Sequence, residues 1–228
     1  MAKQSILVWD LPVRIFHWLL AACFVGAFAT GDSERWRDIH IMLGYTMLIL
    51  IAFRVLWGFV GSRYARFGAF AFGPGRVAQY LQSLLGTKPE HHVGHNPAGS
   101  WAIYLLLGLA LTAGVTGYAT LNELGGEWLE ELHEGAANAM LAVVLVHIAG
   151  VIASSLRHHE NLVRGMITGR KIGAVAEGIR KPHRIVAVLL LAGVIGFWVF
   201  GKPYIMPTGT EVAAASTDAG HENDPQRR

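Results

Sequence analysis

The sequence predicts an all-α membrane protein, a bundle of four transmembrane helices followed by a fifth. Three observations carry that expectation. Of 228 residues, 53% are hydrophobic and 15% charged, where a soluble domain carries about 25% charged residues, and the mean hydropathy is +0.38. Five apolar segments reach or approach the roughly 20 residues a helix needs to cross a hydrocarbon core of about 30 Å. Lys and Arg collect in alternate loops, as topology in a membrane requires.

The apolar segments run over about 12–30, 39–60, 101–120, 135–156 and 184–200. None alternates with period 2, and lipid offers no partner to unpaired backbone groups, so each is read as a helix. The first also resembles a signal peptide, with Arg14, an apolar run and Ala27-Phe28-Ala29 as a cleavage site. Cleavage would discard His17 and reverse the charge bias, so the segment is read as retained. With the N-terminus inside, thirteen Lys and Arg fall on the inner side and five on the outer. Between the second and third segments, Val77, Tyr80, Leu81, Leu84 and Leu85 mark an amphipathic helix that Gly86 ends. It is expected to lie on the inner leaflet, with Arg76 and Lys88 near lipid phosphates. Residues 160–170 are read as a similar surface helix or a solvated loop. The expected division is a membrane domain over 1–171, an inner linker and fifth helix over 172–201, and a disordered outer tail over 202–228.

Composition excludes several functions. Cys23, alone in an apolar run, rules out disulfide frameworks, Cys-rich zinc sites, iron–sulfur clusters and covalently attached c-type haem. A net charge of +3 and a pI of about 9.2 follow the sides of the membrane. No nucleic-acid partner is expected.

Ionisable groups in membrane helices are costly and mark function. Of eleven histidines, His17, His40, His133 and His147 lie in or at the mouths of the apolar segments. His133 and His147 are fourteen residues apart, four turns less about 40°, so they share one helix face about 21 Å apart. Helix direction places His17 at the depth of His147 and His40 at the depth of His133. Two opposed imidazoles can ligate one haem iron axially and leave no open position. A zinc site would need more ligands than either pair offers, and a proton relay would need acids within the helices. The expected cofactors are therefore two b haems, on the pairs His17/His147 and His40/His133. Gly44, one turn after His40, leaves room for a porphyrin. Arg54, fourteen residues after His40 on the same face, is a candidate partner for a haem propionate, with snorkelling to headgroups as the alternative. Arg14, one turn before His17, is a second candidate.

The stretches VWDLPVRIFHW (8–18), RDIHIMLGYTMLILIAFRVLWGFVGSRYARF (37–67), GHNPAGSWAIYLLLGLALTAGVTGY (94–118), ELHEGAANAMLAVVLVHIAGV (131–151) and ENLVRGMITGRK (160–171) resemble the bacterial cytochrome b561 family. That family includes the b-type cytochrome subunits of nickel–iron hydrogenases. The resemblance implies a four-helix dihaem bundle in the bacterial inner membrane, with His17, His40, His133 and His147 at the axial positions. The fifth helix and tail are additions to the shorter members.

The expected activity is electron transfer across the membrane between the quinone pool, ubiquinone or menaquinone, and a redox partner such as a periplasmic c-type cytochrome. The alternative is the anchor subunit of a nickel–iron hydrogenase or similar dehydrogenase, and a homodimer is possible in either case. Glu123, Glu127, Glu130 and Glu131 would suit a basic partner, or merely follow the charge rule. His158 and His159 are candidate quinone contacts. The rival from another class is a non-haem metal or proton transporter, disfavoured by the lack of intramembrane acids and of internal repeats.

Overall fold

The computed structural model describes residues 4–86 and 89–201, so Lys3, Lys88 and the 202–228 tail lie outside the described residues. Helix α1 (Leu11–Thr30) starts at Asp10, whose fully buried carboxylate accepts from the Val13 N–H at 2.8 Å, and Pro12 suits the first turn. The other Asp10 oxygen accepts from Trp57 Nε1 at 3.0 Å, tying the start of α1 to the end of α2 (Arg37–Val60). After the expected surface helix α3 (Pro74–Leu85), Asn96 caps α4 (Pro97–Leu121) by accepting from Gly99 N. Next come α5 (Trp128–His158), the short α6 (Leu162–Thr168), and α7 (Arg184–Phe200).

Four of these helices, α1, α2, α4 and α5, are long and apolar enough to span a membrane, and α7 is a shorter apolar helix. This is the all-α membrane bundle expected. Helix α5 begins seven residues before the apolar segment does. Its first turn holds Glu130 and Glu131, which complement the positive end of the helix dipole, so the helix continues beyond the hydrophobic stretch.

One core joins the spans. Phe16, Cys23 and Phe24 of α1 meet Met47, Leu50 and Ile51 of α2, Ala110 of α4, Met140 of α5, and Leu190 and Val194 of α7. The fifth helix thus belongs to the bundle, against α1 and α2, and Trp198 Nε1 donates to Thr46 Oγ1 at 3.0 Å. Leu105, Leu111, Leu145, Val146 and Ile152 point outward. That surface suits lipid, which competes with no core for them.

At one end of the bundle a small polar platform forms, which hydropathy did not indicate. Strand β1 (Gln4–Leu7) pairs antiparallel with β2 (Arg170–Gly173), Leu7 opposite Arg170. Gly169 O then accepts from both Val8 N and Trp9 N. Gly169 has φ +80, and a Cβ there would lie 2.7 Å from Trp9 O, so only glycine turns the chain at this point. The Tyr64 hydroxyl donates to Glu177 O, joining the 61–73 loop to the same platform. Helix α3 docks against the bundle through Tyr80, whose hydroxyl meets Ser154 Oγ at 3.4 Å, while Arg76 pairs with Glu90 at 3.2 Å. Residues 162–168 form α6.

Candidate functional site

At the end of the bundle away from the platform, α2 and α5 bring His40 and His133 together, ring centroids 6.0 Å apart and planes at 74°. Each ring is anchored through Nδ1: His40 to Ala27 O of α1 at 2.9 Å, His133 to Ala113 O of α4 at 2.8 Å. A carbonyl can only accept, so both Nδ1 atoms carry the proton and each Nε2 keeps a lone pair. That is the tautomer an axial ligand requires. All four spans contribute, two through imidazoles and two through the carbonyls that aim them.

Glycines shape the surroundings. A Cβ at Gly117 would stand 2.9 Å from His133 Cε1 and 3.0 Å from its Nδ1, so this glycine makes room for the ring. A Cβ at Gly44 or Gly135 would meet nothing within 4 Å, leaving open space beside His40 and His133. Sequence reasoning singled out Gly44 and passed over Gly117. The contact between Gly117 on α4 and His133 on α5 has no sequence-local signature.

Nearer the platform, His17 of α1 and His147 of α5 lie within electrostatic reach of each other. His17 stands edge-on to Trp18 at 5.0 Å, and its Nδ1 is sealed from solvent without a hydrogen-bond partner. An orphaned imidazole nitrogen in an apolar bundle is costly unless a further group completes it.

Arg54 of α2 is 3% exposed. Its guanidinium lies over the Phe67 ring at 4.8 Å and near the Phe70 ring at 5.9 Å, and Nη1 has no partner. Asp10 attracts it electrostatically, but both Asp10 oxygens are engaged by Val13 and Trp57. A buried cation with spare donors calls for an anion. Arg14 is placed differently. Its Nε donates to Met166 O at 3.3 Å and its Nη2 to Ile167 O, so it fastens α1 to the end of α6.

His95, which the sequence alone left in a polar loop, lies between the rings of Trp9 at 4.5 Å and Phe70 at 4.4 Å, with Nδ1 sealed and unpartnered. Burial, with the positive fields of Arg54 and Lys171, pushes its pKa down to about 3. His95 borders a cavity of about 490 Å³ with Tyr64, Phe70, His91 and His92. His158 stacks edge-on against His91 at 5.5 Å, and His159 closes α5 with φ 50; neither lines that cavity.

The donor set fits haem b. Imidazoles with fixed Nδ1 protons, an orphaned ring nitrogen, open volume at small residues and a buried guanidinium without an anion are what a bis-histidine haem with propionates would complete. Among the described residues no group of three or more His, Cys, Asp or Glu is placed to hold a metal ion.

Known proteins agree. A model of the prokaryotic cytochrome b561 family matches residues 8–169. The chain is 25% identical to the "Probable Ni/Fe-hydrogenase B-type cytochrome subunit" of Rhizobium leguminosarum bv. viciae, over 75% of this chain and 90% of that one. Proteins of the same name from Rhodobacter capsulatus and a "Probable Ni/Fe-hydrogenase 1 B-type cytochrome subunit" of Escherichia coli K12 are 23% and 27% identical. They cover 74% and 51% of this chain, and 82% and 60% of their own lengths. No solved structure matches significantly. Four helices able to span a membrane and a family match over most of the length lead to one conclusion: the chain is a multi-pass membrane cytochrome b and belongs to the prokaryotic cytochrome b561 family.

Proposed function

We propose that the chain is the membrane cytochrome b subunit of a nickel–iron hydrogenase or a similar dehydrogenase, carrying electrons between that partner and a quinone through two b haems. The relatives' names favour this over the expectation of a periplasmic c-type cytochrome as partner. The observation that carries the haem assignment is the His40/His133 pair, with both Nδ1 protons committed to carbonyls and both Nε2 atoms free. When bound, haem b would supply reversible one-electron redox chemistry.

The chain's own residues do the rest. Ala27 and Ala113 carbonyls hold the outer imidazoles in orientation, and Gly117 lets the His133 ring seat. His17 and His147 form the second pair. Arg54 would hold a propionate of a bound haem, and its positive charge would favour that haem's reduced state. The apolar core around Phe24, Leu50 and Met140 excludes water between the two levels. His133 and His147 would set two bound haems about 21 Å apart along α5, a spacing electrons could cross by tunnelling. The cavity bordered by His91, His92 and His95 would suit a quinone head, since it combines aromatic walls with imidazole donors, and His158 stands beside it against His91. The charge bias orients this end toward the cytoplasm.

The test uses membranes containing the chain. Hydrogen gas should reduce the b haems when the cognate hydrogenase is present and not when its genes are deleted. Reduction by quinol alone, with hydrogen ineffective in the presence of active hydrogenase, would reject the hydrogenase reading and leave the c-type cytochrome route.

A further inference from the structure

The platform end carries a second, larger cavity, of about 890 Å³, between β1, the start of α1 and the 175–184 segment that leads into α7. Four arginines line it, Arg14, Arg170, Arg180 and Arg184, and no carboxylate does. None of the four forms an ion pair among the described residues. Four cations in one concave surface repel one another, and a fold keeps such an arrangement at a cost unless an anion neutralises it.

The walls are built rather than incidental. Leu11 N donates to Pro182 O at 3.0 Å and Ile179 N to Leu7 O at 2.8 Å, pinning the segment before α7 to β1 and α1. Arg14 is fixed by the carbonyls of Met166 and Ile167, and Arg170 Nη1 donates to Ser5 O at 3.4 Å. Arg180 and Arg184 stand exposed at the rim. The depth is defined as well, because the cavity opens where α1 and α7 begin, at Leu11 and Arg184. Both helices turn apolar from these positions, the level at which a membrane helix would leave the headgroup region. Below Arg184, Ile185, Val188 and Leu189 form an exposed apolar stripe at i, i+3 and i+4, running away from the cations along α7.

We infer that this cavity binds the phosphodiester headgroup of an anionic membrane lipid, with the acyl chains lying along the outer face of α7. Guanidinium groups match phosphate oxygens in bidentate geometry, and basic recesses at the mouths of membrane helices select anionic headgroups. The apolar stripe distinguishes a lipid from a free phosphate, which would have no use for it. The inference is independent of the haem assignment.

The test uses purified full-length holoprotein in neutral detergent, with bound lipid counted by native mass spectrometry. Dioleoylphosphatidylglycerol, dioleoylphosphatidylcholine and inorganic phosphate are titrated in separate arms. Phosphatidylglycerol is expected to bind at least tenfold tighter than phosphatidylcholine, and millimolar inorganic phosphate should not displace it. The pair Arg180→Gln with Arg184→Gln should lose about tenfold in phosphatidylglycerol affinity, while Arg35→Gln at the other end should lose nothing. Should the Gln pair lose its far-UV helicity, Arg180→Lys with Arg184→Lys is read instead, and retained preference for phosphatidylglycerol is expected. Equal binding of the two lipids overturns the inference, as does unchanged affinity in a folded Gln pair or loss of preference in the Lys pair. Displacement by inorganic phosphate would make this a free-anion site and overturns the lipid assignment.

Discussion

Replacing Gly117 by alanine tests how the His133 ring is held. The new Cβ would sit 2.9 Å from Cε1 and 3.0 Å from Nδ1, where carbon contacts are comfortable only from about 3.5 Å. The ring must therefore retreat by about 0.5 Å. It has little freedom to do so. Nδ1 is bonded at 2.8 Å to Ala113 O, one turn before Gly117 on the same helix, and the His40 ring faces it at 6.0 Å. Overpacking of this kind costs about 1–3 kcal/mol, about a 5- to 150-fold loss of affinity for whatever the two imidazoles jointly bind. The assay is the haem-to-protein ratio of purified protein together with a redox titration that resolves the two b components. Gly117→Ala should diminish or turn high-spin the component held by His40 and His133, leaving the other intact. Gly108→Ala, on the same helix with nothing within 4 Å of its Cβ, is the control and should change neither. A Gly117→Ala protein with both components unaltered would refute the reasoning.

Three further outcomes are expected. Arg54→Gln should lower the midpoint potential of the haem on the platform side by on the order of 50 mV, with the other haem nearly unchanged, as read in the same titration. His95 is held neutral in the fold with a pKa of about 3, against 6.5 for an ordinary histidine. The unfolded chain therefore binds one more proton between these values, and stability is lost as pH falls from about 6.5 toward 3, at up to about 1.4 kcal/mol per pH unit. His95→Phe keeps the stacking and should flatten that part of the melting temperature against pH, whereas an unchanged acid slope would sink the assignment. Asp10→Ala strands the Val13 N–H and the Trp57 Nε1–H together, and should destabilise the protein by about 2–4 kcal/mol in thermal unfolding. A loss below about 0.5 kcal/mol would mean that neither bond matters.

The spans, and the positions of four histidines along them, were legible in the sequence because both depend on local periodicity and hydropathy, which a single chain displays. Helix direction alone assigned His40 to His133, and their rings are in contact. The ends of the helices were less legible. The apolar segment begins only at 135, yet the helix starts at Trp128, because the acids of WLEELHE favour a helix N-terminus. The β1–β2 pair joins residues some 165 positions apart, and strands of four residues leave no usable pattern. His95, Gly117 and Asp10 owe their roles to neighbours on other elements, so nothing local marks them. Arg14 and Arg54 looked equivalent in sequence, each placed by helical spacing from a histidine. Only packing separates them, one bonded to α6 carbonyls and the other buried over Phe67.

The central claim, two haems each held by two histidines, is tested most directly by stoichiometry. Purified full-length chain should release about two haem b per polypeptide into acid acetone, with electron paramagnetic resonance of the oxidised protein showing only low-spin ferric signals, as six-coordinate bis-histidine iron requires. One haem per chain, none, or a persistent high-spin signal in intact protein would contradict it.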